Sequence, residues 1–248
     1  MIPNVEENYH ADIELVGEIG STLKRLYDEC RDAESRWRMD EIDAYRENTK
    51  AVLNFHVDGL SAVQVINTTR ESIPMDALLT IDVGANKLLV IELWDAYMPR
   101  SFFMSNGLAT MGYAIPAALA LQLLHPDRKV VSLCGDGGFM MRLPELATAM
   151  LYRLPIVMVI FSDGRLSLID VKQVKKGYDV PIGTSFTRPN YIDLGRSFGI
   201  PTWIVETEEE LKGALASALN SADGLPKLIE ARIDPSPYPQ QFDAVREL

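Results

Sequence analysis

The sequence predicts an α/β fold, a doubly wound parallel sheet flanked by helices, and three observations predict it. Apolar runs of strand length occupy residues 78–83, 129–134, 156–161, 203–205 and 227–233, and they read as continuous rather than alternating. Helical patterns lie between them. Three of the runs deliver an aspartate and a glycine at their ends. Continuous apolar strands are buried on both faces, which a parallel sheet achieves by carrying helices above and below.

Taken in order, Ile13, Leu15, Val16, Ile19, Leu23 and Leu26 mark a first helix with one apolar face. Residues 27–50 then turn highly charged, as a linker running into a solvated helix would. The strand–helix alternation starts near residue 59. Residues 105–124 carry no charge but hold Gly107, Gly112 and Pro116, so they predict a buried loop and helix rather than a membrane span. In 142–152, Leu143, Leu146, Ala147 and Met150 recur at helical spacing. Residues 207–222 do the same after a Thr207/Glu210 capping box. Residues 164–190 begin helically and then run irregular, a length of loop that commonly serves as an active-site lid.

Charge narrows the function classes. Lys and Arg number 24 against 35 Asp and Glu, a net charge of −11, and the pI is near 4.8. Such a surface repels phosphate backbones and anionic lipid, so neither nucleic acid nor a membrane is the expected partner. Cys30 and Cys134 are far apart, and His10, His56 and His125 are scattered, so no disulfide framework and no zinc spacing emerges. The start, MIPNVEENYHADIELVG, lacks a basic region and an apolar run. A reduced, soluble, cytoplasmic protein is the expectation.

In a doubly wound sheet, ligands sit beyond the carboxyl ends of the strands. There the chain places Asp82-Val83-Gly84-Ala85-Asn86, Gly135-Asp136-Gly137-Gly138 and Ser162-Asp163-Gly164-Arg165. Glycines between strand and helix let backbone N–H groups face an anion, and the helix start favours negative charge. Asp136 would repel a phosphate unless a cation lay between. Magnesium supplies one, since it takes few protein oxygens and completes its octahedron with phosphate oxygens and water. Asp163 is the natural second donor, so the pair predicts a magnesium-bridged diphosphate. Against this stand a tight turn at GDGG and a plain loop carboxylate at Asp163. The nicotinamide fingerprint and the P-loop are both absent.

The segment from Gly135-Asp136-Gly137 through residues 138–161 to Ser162-Asp163 resembles the thiamine-diphosphate signature, in which GDG is followed after a similar gap by Asn-Asn. GFMMRLPELATAMLYRLPIVMVIF, Asp82-Val83-Gly84, the run 105–118 and the ending FDAVREL resemble acetolactate synthases. The likeness covers roughly residues 55–248, the diphosphate-binding domain of that superfamily, while the first residues (VEENYHADIELVGEIGSTL) resemble the tail of the domain before it. It implies a tail at 1–33, a linker helix at 34–54 and a thiamine-diphosphate-binding fold at 55–248.

The resemblance also implies roles. Asp136 and Asp163 would hold magnesium through their side chains, and Arg165 through its backbone carbonyl. Gly137 and Gly138 would give amides to the diphosphate, helped by the turn Gly84, Ala85 and Asn86. Met111 would support the bent cofactor from below, and the Ala109 carbonyl would accept from its aminopyrimidine, the two catalytic positions of this chain. Without the resemblance Met111 reads as a packing methionine. Lys172, Lys175 and Lys176 read as a solvated basic face or an aid to an anionic substrate.

Two departures stand out. Asp163 occupies a position where the family usually has asparagine, and Ala85-Asn86 stands where many acetolactate synthases have Gln-His. No segment resembles the pyrimidine-binding domain, which supplies the activating glutamate in the family. The expected function is therefore the cofactor-binding half of a 2-keto acid decarboxylase or carboligase. Its partners would be a 2-keto acid, a pyrimidine-binding domain in cis or in trans, and further copies of itself in a homo-oligomer. A catalytically silent cofactor-binding or assembly module is the alternative, and a magnesium-dependent phosphohydrolase using Asp136 is a third reading.

Overall fold

The computed structural model describes residues 12–247, in two compact units, Met1–Tyr45 and Arg46–Leu248. The first eleven residues of the expected tail, and Leu248 of the FDAVREL ending, lie outside the described residues. The first unit contains α1 (Ile19–Cys30), and α2 (Met39–Leu53) runs from it into the second. The first helix is shorter than its apolar spacing predicts. Glu18 caps it by accepting from the Gly20 and Ser21 N–H groups, so Ile13, Leu15 and Val16 fall before the cap.

The second unit continues with α3 (Ala62–Ser72), β1 (Leu78–Ile81), α4 (Ala85–Leu93), β2 (Phe102–Met104) and α5 (Ala114–Leu124). After these come β3 (Val130–Gly135), α6 (Asp136–Met140), α7 (Glu145–Leu151), β4 (Val157–Ser162), α8 (Ser167–Lys175) and α9 (Tyr191–Phe198). It ends with β5 (Thr202–Val205), α10 (Glu208–Asn220), β6 (Lys227–Arg232) and α11 (Tyr238–Glu247). The strands form one sheet in the order β2-β1-β3-β4-β6-β5, every neighbouring pair parallel. The five expected strands are present. The sixth, β2, escapes sequence reading because three half-buried residues at a sheet edge carry no periodicity of their own.

Alternate residues of each strand serve two cores. Leu79, Ile81, Val131, Leu133, Val159 and Ile229 pack towards α3, α4, α10 and α11. Leu78, Val130, Met158, Ile160 and Leu228 pack towards α5, α7 and α9. Each such side chain contributes roughly 1.5–3 kcal/mol by leaving water, and helices on both faces make the strands apolar throughout. Local signals agree with this packing. Ser61 and Gln64 form a reciprocal capping box on α3, and Thr207 and Glu210 form the one read from sequence on α10. Asn190 caps α9, which ends at Gly199 in the left-handed conformation (φ 73°).

One expectation needs correction. Residues 105–124 are uncharged, yet only the helical half is buried, through Ala114, Ile115, Ala118 and Leu119. In the preceding loop Leu108 is 95% exposed. The loop is held only near its ends, so its middle finds no core to enter. Among the described residues no helix is long and apolar enough to cross a membrane.

The strand order has a physical consequence. The chain leaves β1 for β2 on one side and then crosses β1 to reach β3 on the other. Helices therefore diverge between β1 and β3, and a crevice opens beyond their carboxyl ends.

Candidate functional site

A pocket of about 540 Å³, its solvent-open mouth included, occupies that crevice. Gly84, Ala85 and Asn86 line it from the end of β1, Gly135–Gly138 from β3, and Asp163 and Arg165 from β4, with Met111 on a further wall. Each site residue expected from sequence lines it except Ala109. Ala109 is exposed, in a left-handed backbone conformation (φ 50°) that an alanine rarely adopts.

Asp136 joins the strand ends. It is 1% exposed, and its Oδ1 accepts from the Gly137 N–H at 2.8 Å. Its Oδ2 accepts from the N–H groups of Gly164 (2.7 Å) and Asp163 (3.2 Å). Asp163 in turn accepts from the Arg165 N–H at 2.9 Å and from the Ser167 hydroxyl. Burial, and then the charge of Asp163, pushes the Asp136 carboxyl up to about 6. Burial also raises Asp163, against the opposing hydrogen bond from Ser167. A buried and a half-buried carboxylate that both resist ionisation form a site suited to a cation. A short bridge pairs Arg165 with Ser185: Leu166 N–H donates to Thr184 and Phe186 N–H to Gly164. The Arg165 carbonyl is left out of that pair of bonds.

Asp82 does different work, which sequence reading did not assign. It is 1% exposed and accepts from the N–H groups of Val83 (2.8 Å), Gly112 (2.9 Å) and Tyr113 (3.3 Å). Burial is the main cause of its raised carboxyl pKa. At the other end of the same loop, the Lys87 ammonium donates to the Ser105 carbonyl at 2.7 Å and to Asn106 Oδ1 at 3.2 Å. Arg142 Nε donates to the Gly112 carbonyl at 3.1 Å. These ties place Met111 against Gly137, where a Cβ would lie 3.4 Å from Met111 Cε.

Gly138 acquires a second reason to be glycine. A Cβ there would lie 2.2 Å from Asp82 Oδ2 and 2.9 Å from its Cγ. Gly138→Ala should therefore displace Asp82 and the 109–113 segment, destabilising the fold by about 1–3 kcal/mol as overpacking does. Urea denaturation checks this, and an unchanged midpoint would mean that Asp82 is free to move.

Asn86 is 4% exposed and lines the cavity, yet its Nδ2 has no hydrogen-bond partner. A buried donor left unmatched costs about 1–3 kcal/mol, so the site suits a ligand that brings an acceptor. A diphosphate oxygen is such an acceptor, and the two carboxylates suit the cation it travels with. Among the described residues no three His, Cys, Asp or Glu side chains gather as a metal cage. A cation here would draw its remaining ligands from backbone, phosphate or water.

Leu166, Ser167, Leu168 and Ile169 of the α8 start and Tyr238 of α11 also line the cavity. The helical beginning of residues 164–190 hinted at the first four. Nothing local marks Tyr238, which reaches the site only because α11 packs against α4 and α8. Lys175 pairs with Asp243 and lies over the Phe242 ring at 5.2 Å, so it serves the α8–α11 contact.

Residues 82–231 match the family described as thiamine pyrophosphate enzyme, C-terminal TPP binding domain. An acetolactate synthase from Bacillus subtilis is 27% identical over 239 residues, covering 94% of this chain and 41% of that protein. A 3D-(3,5/4)-trihydroxycyclohexane-1,2-dione hydrolase from the same organism is 28% identical, covering 92% of this chain and 38% of the hydrolase. The chain thus spans about two fifths of the length of these relatives. A solved thiamine diphosphate-dependent 4-hydroxybenzoylformate decarboxylase from Rhodococcus jostii RHA1 is 26% identical with a TM-score of 0.66, covering 73% of this chain and 34% of its own. With the family match extending over most of the sheet and all three aspartate-bearing strand ends, the chain belongs to the thiamine pyrophosphate enzymes, as a C-terminal TPP binding domain.

Proposed function

We propose that this chain is the diphosphate- and magnesium-holding part of an enzyme that decarboxylates a 2-keto acid and joins the product to a second carbonyl compound, in the manner of acetolactate synthase. The observation that carries the reading is the meeting, in one cavity, of the Asp136–Asp163 pair and the unpartnered Asn86 amide. When bound, thiamine diphosphate supplies the carbon centre that attacks the keto acid. The chain's own residues hold and orient it. Asp136, Asp163 and the Arg165 carbonyl bind the cation, Asn86 and the Gly138 N–H receive diphosphate oxygens while the Gly137 N–H holds Asp136, and Met111 supports the rings. Ala109, whose loop is pinned at both ends, offers its carbonyl to the aminopyrimidine.

Binding of thiamine diphosphate should require a divalent cation, because the carboxylates would otherwise face the diphosphate uncompensated. Titrating the cofactor with magnesium and then with excess chelator tests this, and equal affinity in both would refute the bridge.

The second part of the proposal concerns partners. A pyrimidine-binding domain, in cis or in trans, completes the site, and copies of the chain associate in the cytoplasm. Leu108 (95% exposed), Leu124 (73%) and Leu151 (76%) leave apolar surface in water, and such surface commonly marks an interface. Light scattering at micromolar concentration should report a dimer or larger, and a monomer would count against it.

A further inference from the structure

Asp163 brings a second carboxylate to a cavity that already holds Asp136, and two basic groups nearby, Arg165 and Lys175, are engaged elsewhere. Arg165 turns its guanidinium to Asp170 at 3.1 Å, and Lys175 pairs with Asp243. Arg188 sits over Gly164, its Nε 3.3 Å from where a Cβ would be, and its charge only partly offsets the burial that raises Asp163. Both carboxylates are oriented by hydrogen bonds and keep acceptor capacity. An ionised carboxylate has about four lone-pair positions. Asp136 fills three, with the N–H groups of Gly137, Asp163 and Gly164. Asp163 fills two, with the Arg165 N–H and the Ser167 hydroxyl.

A lone carboxylate holds magnesium weakly and leaves most of the coordination to phosphate oxygens. Two fixed carboxylates match the charge of a divalent ion without help. The order of arrival follows. A diphosphate entering first would meet two bare carboxylates, whereas one entering second meets a cation on one side and the buried, unpartnered Asn86 amide on the other. We propose that Asp136 and Asp163 let this chain take up one divalent cation in the absence of thiamine diphosphate, and that the cofactor joins a site already loaded with metal. The inference rests on the site reading above and adds to it a binding event that needs no cofactor.

Manganese serves as the probe, since the electron paramagnetic resonance signal of the free ion falls when it binds. The chain alone should bind one manganese ion, displaced by magnesium. Asp163→Asn should weaken this cofactor-free binding at least about tenfold, because one of two charges facing the ion is lost. With thiamine diphosphate saturating, the same substitution should change manganese affinity less than about threefold, since asparagine keeps an oxygen donor and phosphate oxygens dominate the shell. Circular dichroism monitors the fold of the variant, and the titration of the unaltered chain needs no variant at all. A manganese signal that stays constant until thiamine diphosphate is added would overturn the inference and leave the cofactor reading intact. So would cofactor-free binding that Asp163→Asn leaves unchanged. A chain that binds manganese through Asp163 but never thiamine diphosphate would overturn the cofactor reading and leave the cation site standing.

Discussion

Supplied with thiamine diphosphate, magnesium and pyruvate, the 248-residue chain by itself is expected to release essentially no carbon dioxide. The cofactor does its hard step only when a protein group tunes its pyrimidine. In the family that group is a glutamate of the pyrimidine-binding domain. The carboxylates lining this cavity, Asp136 and Asp163, are engaged by backbone N–H groups and a serine hydroxyl. Glu92 and Glu145 do not line it. Loss of a positioned acid–base group lowers rates by about 10²–10⁴, and without an opposing wall water reaches the reacting atoms as well. Carbon dioxide or acetolactate release, with and without a pyrimidine-binding domain in trans, measures this. Robust activity from the chain alone would mean that a carboxylate of a neighbouring copy replaces the glutamate.

Asp136→Ala should lose cation and cofactor together. Removing one member of a compensated buried charge pair costs about 3–5 kcal/mol, a fall in cofactor affinity of more than about 100-fold. The fold should suffer far less. The variant gives up hydrogen bonds from Gly137, Asp163 and Gly164, but it also removes a carboxyl that burial and Asp163 disfavour in the ionised form. Calorimetric titration of thiamine diphosphate with magnesium, beside a melting curve, separates the two effects. Asp163→Asn, titrated in the same way, should be mild. A cofactor affinity untouched by Asp136→Ala but abolished by Asp163→Asn would reverse the assignment.

An acetolactate synthase and a trihydroxycyclohexane-1,2-dione hydrolase match nearly the whole of this chain at similar identity. What proteins with such different names share over this stretch is the match to a C-terminal TPP binding domain.

By itself the sequence determined the sheet type, five of its six strands, and the strand ends that carry Asp136 and Asp163. Those features are encoded locally. A strand buried on both faces must be apolar throughout, a helix repeats every 3.6 residues, and a backbone that approaches a ligand needs glycine. Tertiary structure alone decided what depends on residues far apart in the chain. The strip Phe102–Met104 became β2 because it met the edge of β1. Asp82 became the anchor of Gly112 and Tyr113 because α5 returns beside β1, where the Thr80 hydroxyl also donates to the Ala114 carbonyl at 2.9 Å. Tyr238 reached the cavity through the packing of the last helix, and Asn86 lines the crevice where the helices diverge beyond the ends of β1 and β3, its amide unmatched. Contacts of this kind are set by strand order and register, which no short run of residues records.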